Sequence, residues 1–140
     1  MVKQIFVNLP VKNLEKSMGF FRKLGFEFNP DFTDEKGACL MLGENIFAML
    51  LTEAFFTTFL KNKKIADTSN TTEVLTAISI ESRQTVDAMV EKALENGATP
   101  HRNADDYGWM YSRNFQDLDG HIWEVFYGDE KALKQQMANK

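Results

Sequence analysis

The chain has 140 residues, 44% of them hydrophobic, with a formal net charge of −4 and a pI near 5.2. That length suffices for one domain with its own core. Acidic and basic residues are interspersed and form no basic stripe, which argues against nucleic acid or an anionic membrane as partner and favours a small molecule. The single cysteine, Cys39, excludes an intrachain disulfide, and the apolar runs are too short for a signal peptide or a membrane span. We therefore expect a cytoplasmic protein.

The first third of the chain predicts a strand, a helix and two or three further strands. Residues 3–10 form an apolar, β-branched strand pattern, and Asn13 is a good N-cap for a helix that Gly25 would end. Residues 37–42 and 45–52 have strand composition and are separated by a turn pair, which predicts a hairpin.

The same order of elements recurs about 70 residues later, with Ser82 as the N-cap and Gly97 as the stop of a second helix. The predicted strands of this copy are residues 74–80, 99–103, 109–115 and 122–127. We therefore predict one α+β domain over residues 1–140 that contains two βαβββ units. The units span residues 3–52 and 73–128, with a short helix and linker at 53–72 and a polar helical tail at 129–140.

The motif with most chemical content is DLDGHIWE at residues 117–124. Asp119-Gly120 predicts a tight turn into a strand, and Glu124 is a carboxylate in the middle of that strand. A charge in such a position needs solvent, a partner or a ligand, so Glu124 is the first candidate site residue.

The paired units, the D-x-D-G-H-x-x-E motif and a V-x-[DN]-L-x-x-S-x-x-F-F pattern at residues 11–21 resemble the vicinal oxygen chelate superfamily over nearly the whole chain. That superfamily includes glyoxalase I, fosfomycin and bleomycin resistance proteins and extradiol dioxygenases, and the chain most resembles its predicted lactoylglutathione lyase-like members. The resemblance implies two cupped mixed sheets, a homodimer and a divalent metal (Ni, Zn, Fe or Mn) held by His and Glu or Gln from four strands.

Carried over position by position, the resemblance places the four metal ligands at Phe6, at Ala48 or Leu50, at Leu75 and at Glu124. Only Glu124 has a group that binds a metal, and one carboxylate does not hold a catalytic metal. We therefore expect no metal cofactor. The two histidines, His101 and His121, are expected at the surface or in turns.

If Glu124 faces the cavity, strand alternation selects a small-molecule pocket with an apolar lining and a few polar groups. The predicted apolar residues are Phe6, Ala48, Leu50, Leu75 and Met110, and the polar ones are Asn8, Ser112, Asn114 and Glu124. The alternative is that side chains simply fill this cavity. Alternation places Trp109, Tyr111 and Trp123 on the opposite, helix-facing side, whereas Arg113 either turns into the pocket or pairs with an acid such as Asp117.

Three functions are compatible with these residues. The favoured hypothesis is a metal-free protein that binds a small organic molecule without chemistry. The alternatives are a metal-dependent lyase or dioxygenase of the glyoxalase type, and a metal-free enzyme with Glu124 as general base in apolar surroundings.

Overall fold

The computed structural model describes residues 1–139, and the chain divides into two compact units, Met1–Asp67 and a second that begins at Thr68. Each unit contains one four-stranded mixed sheet with helices, which confirms the predicted α+β class and the βαβββ repeat. Within the described residues, no helix combines the length and apolar character needed to cross a membrane.

The first unit has the strand order β1-β4-β3-β2, with β1 parallel to β4 and the other pairs antiparallel. The backbone N–H of Lys16 donates to Oδ1 of Asn13 over 3.1 Å, which confirms the predicted N-cap, and Gly25 follows the helix with φ +99°. The elements are β1 (Ile5–Val11), α1 (Leu14–Lys23), β2 (Glu27–Asn29), a 3₁₀ turn (Pro30–Phe32), β3 (Gly37–Gly43), β4 (Ile46–Thr52) and α2 (Glu53–Thr57).

The core of the first unit lies on one face of its sheet. The residues of this face are almost completely buried: Leu9, Val11, Ala38, Leu40, Ala48 and Leu50. Helix α1 contacts β2, β3 and β4 and contributes buried Ser17, Phe20 and Phe21. We therefore assign the hydrophobic core of this unit to α1 and the Leu50 face of the sheet.

The second unit repeats the architecture with the strand order β5-β8-β7-β6, and β5 runs parallel to β8. Ser82 and Thr85 form a capping box in which the Ser82 hydroxyl accepts from the Thr85 backbone N–H over 3.1 Å, so the predicted helix start is confirmed. The elements are β5 (Leu75–Ser79), α3 (Arg83–Glu95), β6 (Asp105–Asp106), β7 (Met110–Gln116), β8 (Ile122–Gly128) and α4 (Glu130–Ala138).

The prediction of a strand at residues 99–103 was wrong. Only Thr99 forms a bridge there, to Gln116, and the edge strand is the two-residue segment Asp105–Asp106. Pro100 has no N–H to donate to a ladder. The N–H of Arg102 donates to the side chain of Asn114 instead of a backbone carbonyl, so the chain crosses β7 without pairing.

Candidate functional site

The two faces of the second sheet have different roles, and Glu124 lies on the face away from α3. Paired residues in neighbouring strands share a face, and Glu124 pairs with Ala77 and Asn114. We call this surface the Glu124 face. Its residues are Leu75, Ala77, Ser79, Met110, Ser112, Asn114, Gln116, Ile122, Glu124 and Phe126. The register thus agrees with the shared face predicted for Leu75, Met110, Ser112, Asn114 and Glu124.

Glu124 is bound by Arg102, which the sequence analysis did not identify. Nη2 of Arg102 donates to Oε2 and Oε1 of Glu124 over 3.0 and 3.1 Å, and Nε donates to Oε1 over 3.3 Å. The Glu124 side chain is 13% exposed and that of Arg102 is 43% exposed. This forked contact is the strong form of a guanidinium–carboxylate pair, so Glu124 has a counter-charge that the sequence did not predict.

Arg102 also binds a second carboxylate. Its Nη1 donates to Oδ2 of Asp105 over 2.7 Å and to the carbonyl oxygen of Asn103 over 3.4 Å. The hydrogen bond to Asp105 raises the pKa of Arg102, partial burial opposes it, and the bonds to Glu124 raise it further. One cation therefore holds two acidic residues, one from β6 and one from β8.

Two buried polar residues of β7 complete this cluster. Ser112 and Asn114 are each 6% exposed, and the hydroxyl of Ser112 donates to Oε2 of Glu124 over 3.3 Å. Oδ1 of Asn114 accepts the backbone N–H of Arg102 over 2.9 Å, while its Nδ2 is buried without a hydrogen-bond partner. A buried unpaired donor of this kind calls for a physical explanation.

In the first unit, the register corrects the predicted site. Phe6 pairs with Phe47, their rings stack with centroids 4.8 Å apart, and Asn8 pairs with Met49. Ala48 and Leu50 pair with Val7 and Leu9, so they lie on the opposite face from Phe6, within the core. The prediction that they share a pocket face with Phe6 was wrong, because a shift of one residue along a strand exchanges the two faces.

With the observed strand register, the residues at the predicted ligand positions do not suit a divalent metal. The positions that share a face with Phe6 on β4 are Phe47 and Met49, Leu75 stands at the third ligand position, and Glu124 is engaged by Arg102. No group of three His, Cys, Asp or Glu within residues 1–139 is arranged to hold a metal ion. A site of three or more hard or borderline ligands, which a catalytic divalent metal needs, is not built from these side chains.

The helix-facing side of the sheet has its own polar network. Arg113 donates to Asp87 over 3.1 Å and to Glu91 over 2.8 Å, so it lies on the side opposite the Glu124 face and pairs with acids of α3 instead of Asp117. The hydroxyl of Tyr111 donates to Asp87 over 2.6 Å, which lowers the pKa of Asp87 and raises that of Tyr111. Tyr111 therefore lies on the predicted face.

The predicted side-chain alternation along the strands holds at Trp123 but does not extend to Trp109. Trp123 is 1% exposed and donates from Nε1 to Oδ2 of Asp117 over 2.9 Å, which fits the predicted core role. Trp109 precedes β7 and stacks on Tyr107 with ring centroids 6.2 Å apart, so strand alternation does not apply to it.

The comparisons with known proteins agree with this architecture. Residues 3–43 match the family described as bleomycin resistance protein-like N-terminal. No curated protein sequence matches the chain.

Solved structures resemble the chain over most of its length. A hypothetical protein of S. aureus is 25% identical with a TM-score of 0.77, covering 91% of this chain and 95% of that one. A glyoxalase/bleomycin resistance protein/dioxygenase family enzyme of Burkholderia phytofirmans is 12% identical with a TM-score of 0.75, covering 88% and 96%. The genomically encoded fosfomycin resistance protein of Listeria monocytogenes is 19% identical with a TM-score of 0.66, covering 91% and 94%. The chain therefore has the fold of glyoxalase/bleomycin resistance protein/dioxygenase family structures, and its N-terminal residues 3–43 are similar to the bleomycin resistance protein-like family.

Proposed function

We propose that this protein binds a small organic molecule at the Glu124 face and that it does so without a divalent metal. The observation that supports this most directly is the pairing of Glu124 with Arg102. The one retained ligand position already has a counter-charge, and the other ligand positions hold apolar side chains. The fold shared with glyoxalase/bleomycin resistance protein/dioxygenase family structures does not by itself specify this function.

The composition of the Glu124 face suits a small ligand. Leu75 is 58% exposed, and Met110 and Phe126 are partly exposed, so apolar area is present beside the buried polar residues Ser112 and Asn114. Small-molecule sites combine such an apolar lining with a few polar groups that fix orientation. We therefore propose Leu75, Met110, Ser112, Asn114 and Glu124 as the ligand contacts of the second unit.

A fragment screen by NMR tests this function. Protein freed of metal with EDTA is titrated with aromatic and aliphatic fragments, and amide chemical shifts map where each one binds. We expect saturable shifts in β7 and β8 at residues of the Glu124 face, unchanged when Mn²⁺ is added. Fragments that bind only after metal is added, or that shift only residues elsewhere, would contradict the proposal.

We also propose that two copies of the chain associate. The edge strands β1 and β5 expose apolar side chains at Ile5, 53% exposed, and Leu75, 58% exposed, and Val74 next to β5 is 46% exposed. Exposed apolar edge strands favour pairing with another chain. Light scattering coupled to size exclusion is expected to give twice the 16.0 kDa mass of one chain, and a monomer at micromolar concentration would contradict this.

A further inference from the structure

We propose that the ligand of the Glu124 face presents an uncharged, carbonyl-type oxygen to Asn114, and that the site rejects carboxylates and phosphonates. This inference rests on the proposed binding function and adds the chemical class of the ligand. An arginine in a pocket usually indicates an anionic ligand. In this protein, the contacts of Arg102 instead indicate an uncharged ligand.

The hydrogen-bonding capacity of Arg102 is used within the protein. A guanidinium has five N–H groups. Those of Arg102 are directed to both carboxylate oxygens of Glu124, to Asp105 and to the carbonyl oxygen of Asn103. An anionic ligand would have to compete with the carboxylates of Asp105 and Glu124 for Arg102. It would also lose its hydration shell on binding, which costs free energy.

The charges around Arg102 also disfavour an anion. One guanidinium faces the carboxylates of Asp105 and Glu124, so these three side chains together have one excess negative charge. A carboxylate or phosphonate placed beside them would be repelled. A neutral polar group meets no such penalty.

Asn114 supplies the complementary donor. Its Nδ2 is buried and unpaired, whereas its Oδ1 is already occupied by the backbone N–H of Arg102. The amide orientation is fixed by that bond, so the free group is a donor and requires an acceptor. A ketone, amide or ester oxygen provides this acceptor without adding charge.

The segment that contacts Asn114 through the Arg102 N–H is exposed and can move to admit a ligand. Residues 100–104, which we call the Arg102 strap, are all exposed, and regular strand pairing is absent between the bridge at Thr99 and the strand at Asp105. A ligand oxygen reaches Nδ2 when the strap shifts slightly while the Arg102 N–H stays bonded to Asn114, and an exposed segment of this kind moves at a lower free-energy cost than a core strand does.

A matched pair of probes tests the charge preference. 2-Naphthamide and 2-naphthoate share one ring system, and each presents a carbonyl-type oxygen, but only the second is anionic at neutral pH. Each is titrated into ¹⁵N-labelled protein, with the side-chain NH₂ of Asn114 and the Nε–H of Arg102 as reporters. We expect 2-naphthamide to bind about tenfold or more tightly than 2-naphthoate and to shift the Asn114 NH₂ signals.

Two variants and a control test which residues cause the preference for the uncharged probe. Glu124→Gln removes one negative charge and releases Arg102 donors, so the preference for 2-naphthamide is expected to shrink or reverse. Asn114→Asp keeps the oxygen that accepts from Arg102 but removes the donor, so 2-naphthamide binding is expected to weaken. Glu44→Gln changes an exposed glutamate in the turn between β3 and β4 and is expected to leave both affinities unchanged.

The outcomes separate this inference from the proposed function. If 2-naphthoate binds the native protein at this face as tightly as 2-naphthamide does, Arg102 is an anion receptor and the inference is wrong, although the binding function stands. If neither probe shifts residues of the Glu124 face, the binding function fails and the inference falls with it. The native titrations decide both points even where a variant does not fold.

Discussion

Asp105 and Asp106, the two residues of β6, hold arginines on opposite faces of the second sheet. Asp105 accepts from Arg102 on the Glu124 face, and Asp106 binds Arg83 of α3 through both carboxylate oxygens. The guanidinium of Arg83 also lies over the Tyr111 ring, 4.3 Å from its centroid. This two-residue edge strand therefore links the Arg102 strap and α3 to β7.

The first prediction concerns the pair of Arg102 and Glu124. Arg102→Met removes the guanidinium partner of a mostly buried carboxylate. We expect the free energy of unfolding to fall by about 1 to 2 kcal/mol, a small value because solvent screens the partly exposed Arg102. Adding Glu124→Gln to this variant should recover part of the loss. Urea denaturation of both single variants and the double variant gives the coupling energy, and strictly additive effects would contradict the pairing.

The second prediction concerns pH. The bonds from Arg83 and from the Gly108 N–H lower the pKa of Asp106 to about 2. A depressed pKa means that the folded state favours the ionised form, so this stabilisation is present above the unfolded pKa and is lost as pH falls through the folded value.

Asp106→Asn therefore lowers the melting temperature at pH 7, and its difference from the native protein shrinks as pH falls from about 4 towards 2. Thermal unfolding at a series of pH values measures this difference. A gap that stays constant down to pH 2 would show that Asp106 does not contribute through its charge.

The third prediction concerns the buried turn at Asp117. Its Oδ1 accepts the N–H groups of Asp119 and His121 over 2.9 and 3.0 Å, and its Oδ2 accepts from Trp123. Burial raises the pKa of this carboxyl, while His121 and the three donors oppose the shift. Asp117→Asn removes the buried charge but turns one acceptor into a donor.

We expect Asp117→Asn to destabilise the protein by about 1 to 3 kcal/mol, since a buried N–H then has no acceptor. Chemical denaturation measures the loss, and the Trp123 indole N–H signal should report the lost bond. A more stable Asp117→Asn protein would mean that the buried charge costs more than its three hydrogen bonds contribute.

The fourth prediction compares two glycines with nearly the same positive φ, Gly120 at +81° and Gly108 at +80°. A Cβ at Gly120 would lie 2.5 Å from the Thr68 hydroxyl oxygen, which bonds to the Asp119 carbonyl, whereas a Cβ at Gly108 has no neighbour within 4 Å. Gly108→Ala should cost about 1 kcal/mol from the backbone alone.

Gly120→Ala should cost more than Gly108→Ala, because both positions have a positive φ but only Gly120→Ala must also displace Thr68. Urea denaturation of the two variants compares them directly. Equal losses would show that the contact between Thr68 and the turn is not tight.

Most of the fold could be predicted because its signals are local. The N-caps at Asn13 and Ser82 and the stops at Gly25 and Gly97 are each recognisable within a few residues, and they fixed the order of elements. Side-chain alternation in β7 and β8 then identified the face of Glu124 correctly.

The site was less predictable because its decisive contact is not local. Arg102 lies 22 residues before Glu124 in an exposed segment without periodicity, and its only local clue is Asp105 at i+3. The error at Ala48 and Leu50 has a different cause. Nothing in an apolar strand such as β4 marks which residues face the core, and the register of its pairing with β1 decides it.

Arg102 provides the counter-charge at Glu124, and we propose that the site operates without a divalent metal. Calorimetric titration of EDTA-treated native protein with Ni²⁺, Zn²⁺, Fe²⁺ and Mn²⁺ tests it most directly. We expect no saturable binding at one site per chain for any of the four ions. Tight binding of one ion per chain that Glu124→Gln abolishes would contradict it.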